Sequence, residues 1–166
     1  DVVISHSHFD HVKDLPLLLV ACRRHGITTS IVSNGHRLGE LLGQHAGLLD
    51  WVGVSLDSAS DDVEETIGRG RVVERCRRLL RVARTAGCKT KLNTVVTSVN
   101  WEEDMHALLA DTTPDRWKVF RFLPVKGEND DALDLAVTDE QFAAFLARHA
   151  DLAPVGEDNE DMRGSY

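Results

Sequence analysis

The chain has 166 residues, a formal net charge of −8 and three cysteines that lie far apart. This length suits one domain with a real core, the acidic balance argues against direct nucleic-acid binding, and the odd, scattered cysteines argue against a disulfide framework. Because no apolar run approaches the roughly 20 residues of a membrane-spanning helix, we expect a cytoplasmic protein without a membrane segment.

Short apolar runs alternate with helical patterns along the chain. Strand patterns cover residues 1–5, 28–34, 50–57, 89–100 and 116–125. Because strands that alternate with helices form parallel sheets through βαβ crossovers, the pattern predicts an α/β fold, either doubly wound or part of a (β/α)₈-like barrel. The helical patterns cover residues 14–26, 35–47, 72–87 and 101–110 and a segment that starts at Thr138.

Two pairs of residues have the spacing of a helix capping box. Asn100 and Glu103 stand at the N-cap and N3 positions of the fourth predicted helix, and Thr138 and Gln141 stand at those positions of the last one. In such a box each of the two side chains accepts a hydrogen bond from the backbone N–H of the other residue, in the first turn of the helix. After the last helix, residues 151–166 are predicted to form a loose tail.

Polar side chains occupy alternate positions on the fourth and fifth predicted strands. They include Lys91, Asn93, Arg116 and Lys118. A cation inside a sheet is costly unless it is paired, so this pattern indicates a bound anion, and a nucleoside triphosphate suits Lys and Arg donors. The alternative is that the cations point outward or pair with Asp57 and Glu128.

The stretch ETIGRG, residues 65–70, places Arg69 between two glycines. Glycines allow tight backbone turns, so an arginine held in this way could grip a carboxylate. The alternative is an ordinary helix end that is followed by a solvated arginine.

Several motifs resemble those of viperin-type proteins, which are radical S-adenosylmethionine (SAM) enzymes of antiviral defence. The resemblance covers roughly residues 15–166, and its most specific part is the RWKVF segment. The motifs, in order, are SIVSNG (30–35), VSLDS (54–58), IGRG (67–70), KLNTVV (91–96), NWEEDM (100–105), RWKVFRFLPVKGEN (116–129) and NEDMRGSY (159–166).

This resemblance implies a single α/β domain of the partial (β/α) barrel type and a specific reaction. In the family a [4Fe–4S] cluster and SAM generate a 5′-deoxyadenosyl radical, which converts a ribonucleoside triphosphate such as CTP into a 3′-deoxy-3′,4′-didehydro nucleotide. The resemblance assigns SAM contacts to Ser33, Asn34, Ser55 and Arg69. It assigns the nucleotide and its phosphates to Lys91, Asn93, Arg116 and Lys118.

Two motifs of the family are absent from the 166 residues. The family holds its cluster with a C-x-x-x-C-x-x-C loop after the first barrel strand and binds SAM with a Gly-Gly-Glu-Pro motif after the second. From this we expect a barrel without its first strand and a chain that is inactive as given. A non-catalytic nucleotide-binding fragment is therefore an alternative function.

The opening segment SHSHFDHVKDLPLL (5–18) instead resembles the H-x-H-x-D-H loop of metallo-β-lactamase-type hydrolases. Neutral imidazoles suit zinc, and an aspartate can bind a second metal or orient water. The resemblance implies possible zinc ligands at His6, His8, Asp10 and His11. A metal-dependent hydrolase is a second alternative, but most later histidines fall in predicted helices, so adventitious zinc is favoured over a complete hydrolytic centre.

Overall fold

A computed structural model describes residues 2–5, 14–33, 38–124, 127 and 130–158. The strands are β1 (Val2–Ser5), β2 (Thr29–Ser33), β3 (Trp51–Ser55), β4 (Lys89–Val96), β5 (Arg116–Arg121) and β6 (Val155–Glu157). The helices are α1 (Leu15–Arg24), α2 (Leu38–His45), α3 (Asp61–Thr66), α4 (Val73–Thr85), α5 (His106–Thr112) and α6 (Asp139–Arg148). Short 3₁₀ segments cover Ala46–Leu48, Asp130–Leu135 and Ala150–Leu152.

The six strands follow chain order in the sheet. β1 and β2 are parallel, as are β2 and β3, and β5 and β6. Helices separate the successive strands, so the predicted α/β fold with parallel strands is confirmed. No helix in the described ranges has the length and apolar character that a membrane crossing requires.

The chain divides into two compact units, and β4 contributes to both. The first unit comprises residues 1–55 and 74–92. Its core is built from apolar side chains of α1, α2, α4, β2, β3 and β4. The 3.6-residue and 2-residue periods place most of them on one face of their helix or strand. The fully or nearly fully buried members include Leu19, Ile31, Leu38, Val52, Val54, Cys76, Leu80 and Leu92.

The second unit comprises residues 56–73 and 93–166. Its core combines aliphatic and aromatic side chains with a buried histidine, His149. The Trp117 indole N–H donates to Thr94 Oγ1 at 3.0 Å, and the Phe145 ring meets the His149 ring at a centroid distance of 4.5 Å. The other buried members include Leu56, Val96, Met105, Leu108, Val119 and Phe142.

Residues 151–157 contain regular structure where the sequence predicts a loose tail. Residues 155–157 form β6, which pairs with β5 in a register that places Val155 beside Lys118. Gly156 permits this position, because a Cβ there would lie 2.9 Å from Leu146 Cδ1 of α6. The remainder of the predicted tail, from residue 159 onward, lies outside the described residues.

One predicted capping box is confirmed and the other is wrong. Thr138 Oγ1 accepts the Gln141 N–H, and the Gln141 side chain accepts the Thr138 N–H, at the start of α6. By contrast, α5 begins at His106 rather than at residue 101. The side chains of Asn100 and Glu103 instead bond residues 57–59.

Candidate functional site

Two of the predicted SAM residues lie at the carboxyl ends of strands in the first unit. Ser33 is the last residue of β2 and is buried, whereas Ser55 is the last residue of β3 and is half-buried. Ser33 is in register with Val54, so Ser33 and Ser55 both lie at the carboxyl-terminal ends of two neighbouring parallel strands. This is the edge where α/β folds bind ligands. Asn34 lies outside the described residues.

The predicted alternation of β4 is confirmed by its burial. Lys89 is exposed and Lys91 and Asn93 are half-buried, while the intervening side chains of Thr90 and Leu92 are buried. The polar side chains therefore share one face of the strand and the core residues share the other. Asn93 Oδ1 is a buried atom that has no hydrogen-bond partner among the described residues. Such an oxygen is costly to desolvate, so it is suited to a donor from a ligand.

The stem of Lys91 lies over β3 in the first unit. A Cβ on Gly53 would come 3.3 Å from Lys91 Cε and 3.0 Å from Val32 Cγ2. The absence of a side chain at Gly53 therefore gives the lysine the space to extend along the sheet. A larger residue at this position would require the side chains of Val32 and Lys91 to shift by a few tenths of an ångström.

The polar face of β5 carries Lys118, which is paired with Glu157 of β6. The two side chains are each 24% exposed, and the lysine ammonium lies 5.6 Å from the centroid of the Phe120 ring. Of the two acidic partners suggested by the sequence, Asp57 binds Arg69 instead and Glu128 lies outside the described residues. Lys118 is thus paired with an acid, as one alternative proposed, but this acid is Glu157 and not one of the two that the sequence suggested.

Arg116 lies at the amino end of β5, where its side chain is exposed. With Trp117, Leu109 and Leu152 it lines a cavity of about 320 Å³. The two sides of β5 therefore differ, because Trp117 is buried in the core and Arg116 borders open space.

Arg69 is held by two buried carboxylates in the second unit. Its Nη1 lies 3.2 Å from Asp57 Oδ2, and its Nε lies 3.5 Å from Glu64 Oε2. The side chain of Asp57 is 2% exposed and that of Glu64 is 0% exposed, whereas that of Arg69 is 30% exposed. The arginine does follow a helix end, as one alternative proposed, but it is anchored rather than freely solvated.

Backbone donors fix both carboxylates. Glu64 Oε1 accepts the N–H groups of Asp57 at 2.6 Å and Ser58 at 2.7 Å. Asp57 Oδ1 accepts the N–H of Val95 at 2.8 Å. Gly68 and Gly70, on either side of Arg69, have φ values of +92° and +73°, a left-handed conformation that side-chain-bearing residues rarely adopt. We call Asp57, Glu64 and Arg69 the arginine cluster.

Burial shifts the pKa of both acids in the arginine cluster upward. For Asp57, burial raises the pKa while Arg69 and the Val95 N–H oppose the rise. For Glu64, burial and the negative charge of Asp57 raise the pKa to about 7. The Glu64 carboxyl group therefore changes its charge near neutral pH.

The residues of the incorrect capping box support the loop that precedes this cluster. Asn100 Nδ2 donates to the carbonyl oxygens of Asp57 and Val95, at 2.7 and 2.9 Å. Glu103 Oε1 accepts the Ser58 hydroxyl and the Ala59 N–H, both at 2.8 Å. These bonds occupy both side chains, so neither of them caps a helix.

A second group, which the sequence analysis missed, forms around His106 in the same unit. The His106 Nδ1 lies 2.6 Å from Asp104 Oδ1, and its Nε2 lies 3.0 Å from Asp151 Oδ1. The buried His149 ring lies beside it, with a centroid distance of 5.1 Å. We call Asp104, His106, His149 and Asp151 the histidine cluster. Its two histidines are 43 residues apart in the chain, so spacing could not reveal it.

The bonds of the histidine cluster favour a bound proton over a bound metal ion. Donor atoms of Asp104, His106 and His149 lie within 4.8 Å of one another, as metal ligands do. However, His149 Nδ1 donates to the Phe145 carbonyl at 2.8 Å, so its Nε2 is the acceptor for the Met105 N–H at 3.0 Å. With both nitrogens of His106 next to carboxylates, these contacts leave no imidazole lone pair of this cluster for a metal.

The cysteines do not fit an iron–sulfur cluster. Cys22, Cys76 and Cys88 are all buried, and the Cys76 thiol lies 3.8 Å from the Ser55 carbonyl oxygen. Burial raises the pKa of the Cys88 thiol, which disfavours the thiolate that ligation requires. The possible zinc residues His6, His8, Asp10 and His11 lie outside the described residues.

Comparison with known sequences shows which family and which proteins this chain is similar to. Residues 2–111 match the profile of the radical SAM superfamily. An S-adenosylmethionine-dependent nucleotide dehydratase of Lacinutrix mariniflava is 37% identical over 165 residues, which are 93% of this chain and 34% of the relative. A protein of the same name from a Thermoplasmatales archaeon is 40% identical over 146 residues, covering 85% of this chain and 53% of the relative. The chain thus spans about a third to a half of the length of these relatives.

Solved structures support the same fold. Streptococcus suis SuiB bound to its precursor peptide matches with a TM-score of 0.75 at 17% identity, over 94% of this chain and 38% of that one. A domain of a pyruvate-formate lyase-activating enzyme from Bacteroides vulgatus matches with a TM-score of 0.68 at 14% identity, over 95% and 98% of the two chains. At these identities the comparison shows the fold alone.

Proposed function

Because the chain belongs to the radical SAM superfamily, a family of enzymes, we propose that it is the nucleotide-binding part of a SAM-dependent nucleotide dehydratase. The substrate is a ribonucleoside triphosphate such as CTP, and the product is the 3′-deoxy-3′,4′-didehydro nucleotide used in antiviral defence. The observation that carries the proposal is the polar face of β4 and β5, which bears cations on strands whose opposite face is core. Parallel strands are normally apolar on both faces, so this face is suited to a ligand.

The nucleotide residues in this proposal are Lys91, Asn93, Arg116 and Lys118. Lysine and arginine supply charge-assisted hydrogen bonds to phosphate oxygens, which are stronger than neutral ones. The unpartnered Asn93 Oδ1 would accept a hydrogen bond from a ribose hydroxyl or a base amino group. A phosphate that binds Lys118 would compete with Glu157, which already pairs with the lysine ammonium.

For SAM, the proposal assigns Arg69 to the α-carboxylate and assigns contacts to Ser33, Asn34 and Ser55. The arginine fits this role because two carboxylates fix one side of its guanidinium and the side chain is still 30% exposed. When bound together, SAM and a reduced [4Fe–4S] cluster supply the abstraction of a ribose hydrogen. The three cysteines of this chain are buried and do not fit the cluster, so the proposal assigns none of them as a ligand.

Nucleotide binding by the purified chain tests the proposal. Isothermal titration with CTP, GTP and UTP should show binding of at least one triphosphate, and Lys118→Ala should weaken it about tenfold to a hundredfold, as expected for a charged hydrogen bond. The control is Arg81→Ala, which removes an exposed cation that bonds Glu74 on α4. If no triphosphate binds, or if both variants weaken binding equally, the assignment of this face is wrong.

A further inference from the structure

The arginine cluster contains more negative than positive groups. Two carboxylates that are almost fully buried face one guanidinium, and Glu64 Oε2 accepts no hydrogen bond from any described residue. Buried charges are tolerated when each one is paired and hydrogen-bonded. If both acids are ionised, the cluster therefore carries one unmatched negative charge away from water.

Among the described residues, Arg69 is the one cation that forms an ion pair with either acid. The other described groups that bond the two carboxylates are the N–H groups of Asp57 and Ser58 on Glu64 and the N–H of Val95 on Asp57. A third acid, Glu103, accepts hydrogen bonds from the Ser58 hydroxyl and the Ala59 N–H in the loop that follows Asp57. A further anion at this place thus meets an environment that is already electronegative.

The exposed part of Arg69 is the only part that can meet a ligand. Its Nε and Nη1 point to Glu64 and Asp57, while a guanidinium has five N–H donors in a planar fork. The remaining donors can bind a carboxylate side by side. A carboxylate that docks there places a third negative charge around a single positive one.

This inference rests on the proposed function. We infer that Asp57 and Glu64 are positioning residues that orient Arg69, and that Glu64 takes up one proton from solvent when the α-carboxylate of SAM binds to Arg69. Protonation converts the ionised Glu64 carboxylate into a neutral carboxyl group and forms one O–H bond. It restores a cluster in which Asp57 and the ligand share the charge of Arg69.

The pKa of Glu64 in the protein without SAM makes this proton uptake measurable. Burial and Asp57 raise the pKa of Glu64 to about 7, so a large part of the molecules is ionised above neutrality. Because SAM binds the protonated form, its apparent affinity should fall toward tenfold per pH unit above about pH 7. Below about pH 6 the group is already protonated and the affinity should be constant.

The experiment measures proton uptake directly. SAM is titrated into the chain by calorimetry at pH 7.5 in two buffers with different ionisation enthalpies, and the affinity is measured from pH 6 to 8.5. We expect an uptake of about half a proton or more for the wild type. Glu64→Gln, which has the same shape and no charge, should show uptake near zero and a flat affinity profile.

The control is Glu65→Gln. Glu65 is the next residue of α3, it is 50% exposed, and it pairs with the exposed Arg71. This variant should retain the proton uptake of the wild type, because its carboxylate is not part of the arginine cluster. A change in uptake equal to that of Glu64→Gln would overturn the inference.

The outcomes separate the inference from the function on which it rests. SAM binding without proton uptake in the wild type overturns the role of Glu64 and leaves the SAM assignment in place. No SAM binding at any pH from 6 to 8.5 overturns the SAM assignment and the inference together. If Glu64→Gln does not fold, uptake near zero in the wild type at pH 7.5 still overturns the inference, and uptake that persists with a SAM analogue lacking the α-amino group, which itself titrates near this pH, supports it.

Discussion

The arginine cluster and the histidine cluster contain similar groups, and their acids have opposite pKa shifts. Burial raises the pKa values of Asp57 and Glu64. In the histidine cluster, hydrogen bonds from His106 lower the pKa values of Asp104 and Asp151. The difference lies in solvent, because Glu64 is fully buried while Asp104 and Asp151 are 69% and 67% exposed.

The comparison separates two uses of a charged pair. In the histidine cluster, water solvates the acids and His106 adds hydrogen bonds, so each charged form is favoured. In the arginine cluster the two acids are shielded from water, and a single guanidinium does not compensate both of them for the lost solvation. A cluster of the first kind contributes modestly to stability, whereas one of the second kind is costly to maintain and is therefore a better candidate for function.

Removal of the only cation of the arginine cluster should have the largest effect. Arg69→Met leaves two buried carboxylates without a positive partner, and we expect a loss of about 3–5 kcal/mol in the free energy of unfolding at pH 8. Urea denaturation at pH 8 and pH 5.5 measures it. The loss should be smaller at pH 5.5, where Glu64 is protonated.

The matched control for this change is Arg71→Met. Arg71 is 61% exposed and pairs with Asp62 and Glu65, which are also exposed. Its removal should change the unfolding free energy by less than the error of the measurement. Equal losses for the two variants would show that burial does not distinguish these ion pairs.

Neutralising Glu64 should have the next largest effect, and its sign depends on pH. The folded pKa of about 7 lies above the reference value of 4.5, so the folded state binds the proton more tightly than the unfolded state. The wild type should therefore lose up to about 3 kcal/mol of stability as pH rises from about 4.5 to 7. In Glu64→Gln this component should disappear, and chemical denaturation between pH 5 and 8 measures the difference. A steeper profile in the variant would contradict the assignment of the burial cost to Glu64.

Neutralising His106 should have the smallest effect, with a different pH window. Hydrogen bonds to Asp104 and Asp151 raise the pKa of His106 above 6.5, so its contribution is complete below that value and is lost as pH rises through the folded pKa. The contribution of Asp104 and Asp151 to stability is complete above about pH 4 and is lost at lower pH, because their pKa values in the folded protein are lowered from 3.8. His106→Gln should therefore lower the melting temperature slightly at pH 6 and not at pH 9.

The control for this change is His25→Gln, which replaces an exposed histidine at the end of α1. It should leave the melting temperature unchanged at both values of pH. A loss that is equal at pH 6 and pH 9 for His106→Gln would mean that packing on the buried His149, rather than charge, is what His106 contributes.

The sequence predicts strands and their faces well because these depend on local periodicity. The alternation around Lys91 and Lys118 and the capping box at Thr138 all require only residues that are close in the chain. The glycines around Arg69 likewise indicate a constrained arginine, and both have a positive φ. Such features follow from rules that act over a few residues.

The partners of these residues could not be predicted in the same way. Asn100 and Glu103 have the spacing of a capping box, yet their side chains bind residues 43 to 45 positions away. Glu64 lies on α3, a helix of six residues that is too short to have a clear period. Its bonds to the N–H groups of Asp57 and Ser58 depend on the conformation of the loop after β3, which follows no repeating pattern.

The contacts of the arginine cluster have a consequence for the order of folding. Glu64 bonds backbone groups that lie only six and seven residues before it, and the Arg69 N–H bonds the Glu64 carbonyl. Loops of about ten residues close in roughly 10–100 ns, whereas the bonds from Asp57 to Val95 and from Ser58 to Glu103 span 38 and 45 residues. We therefore expect residues 57–69 to form a turn-like nucleus early, with the buried charges assembled while water can still reach them and enclosed only when the later strands arrive.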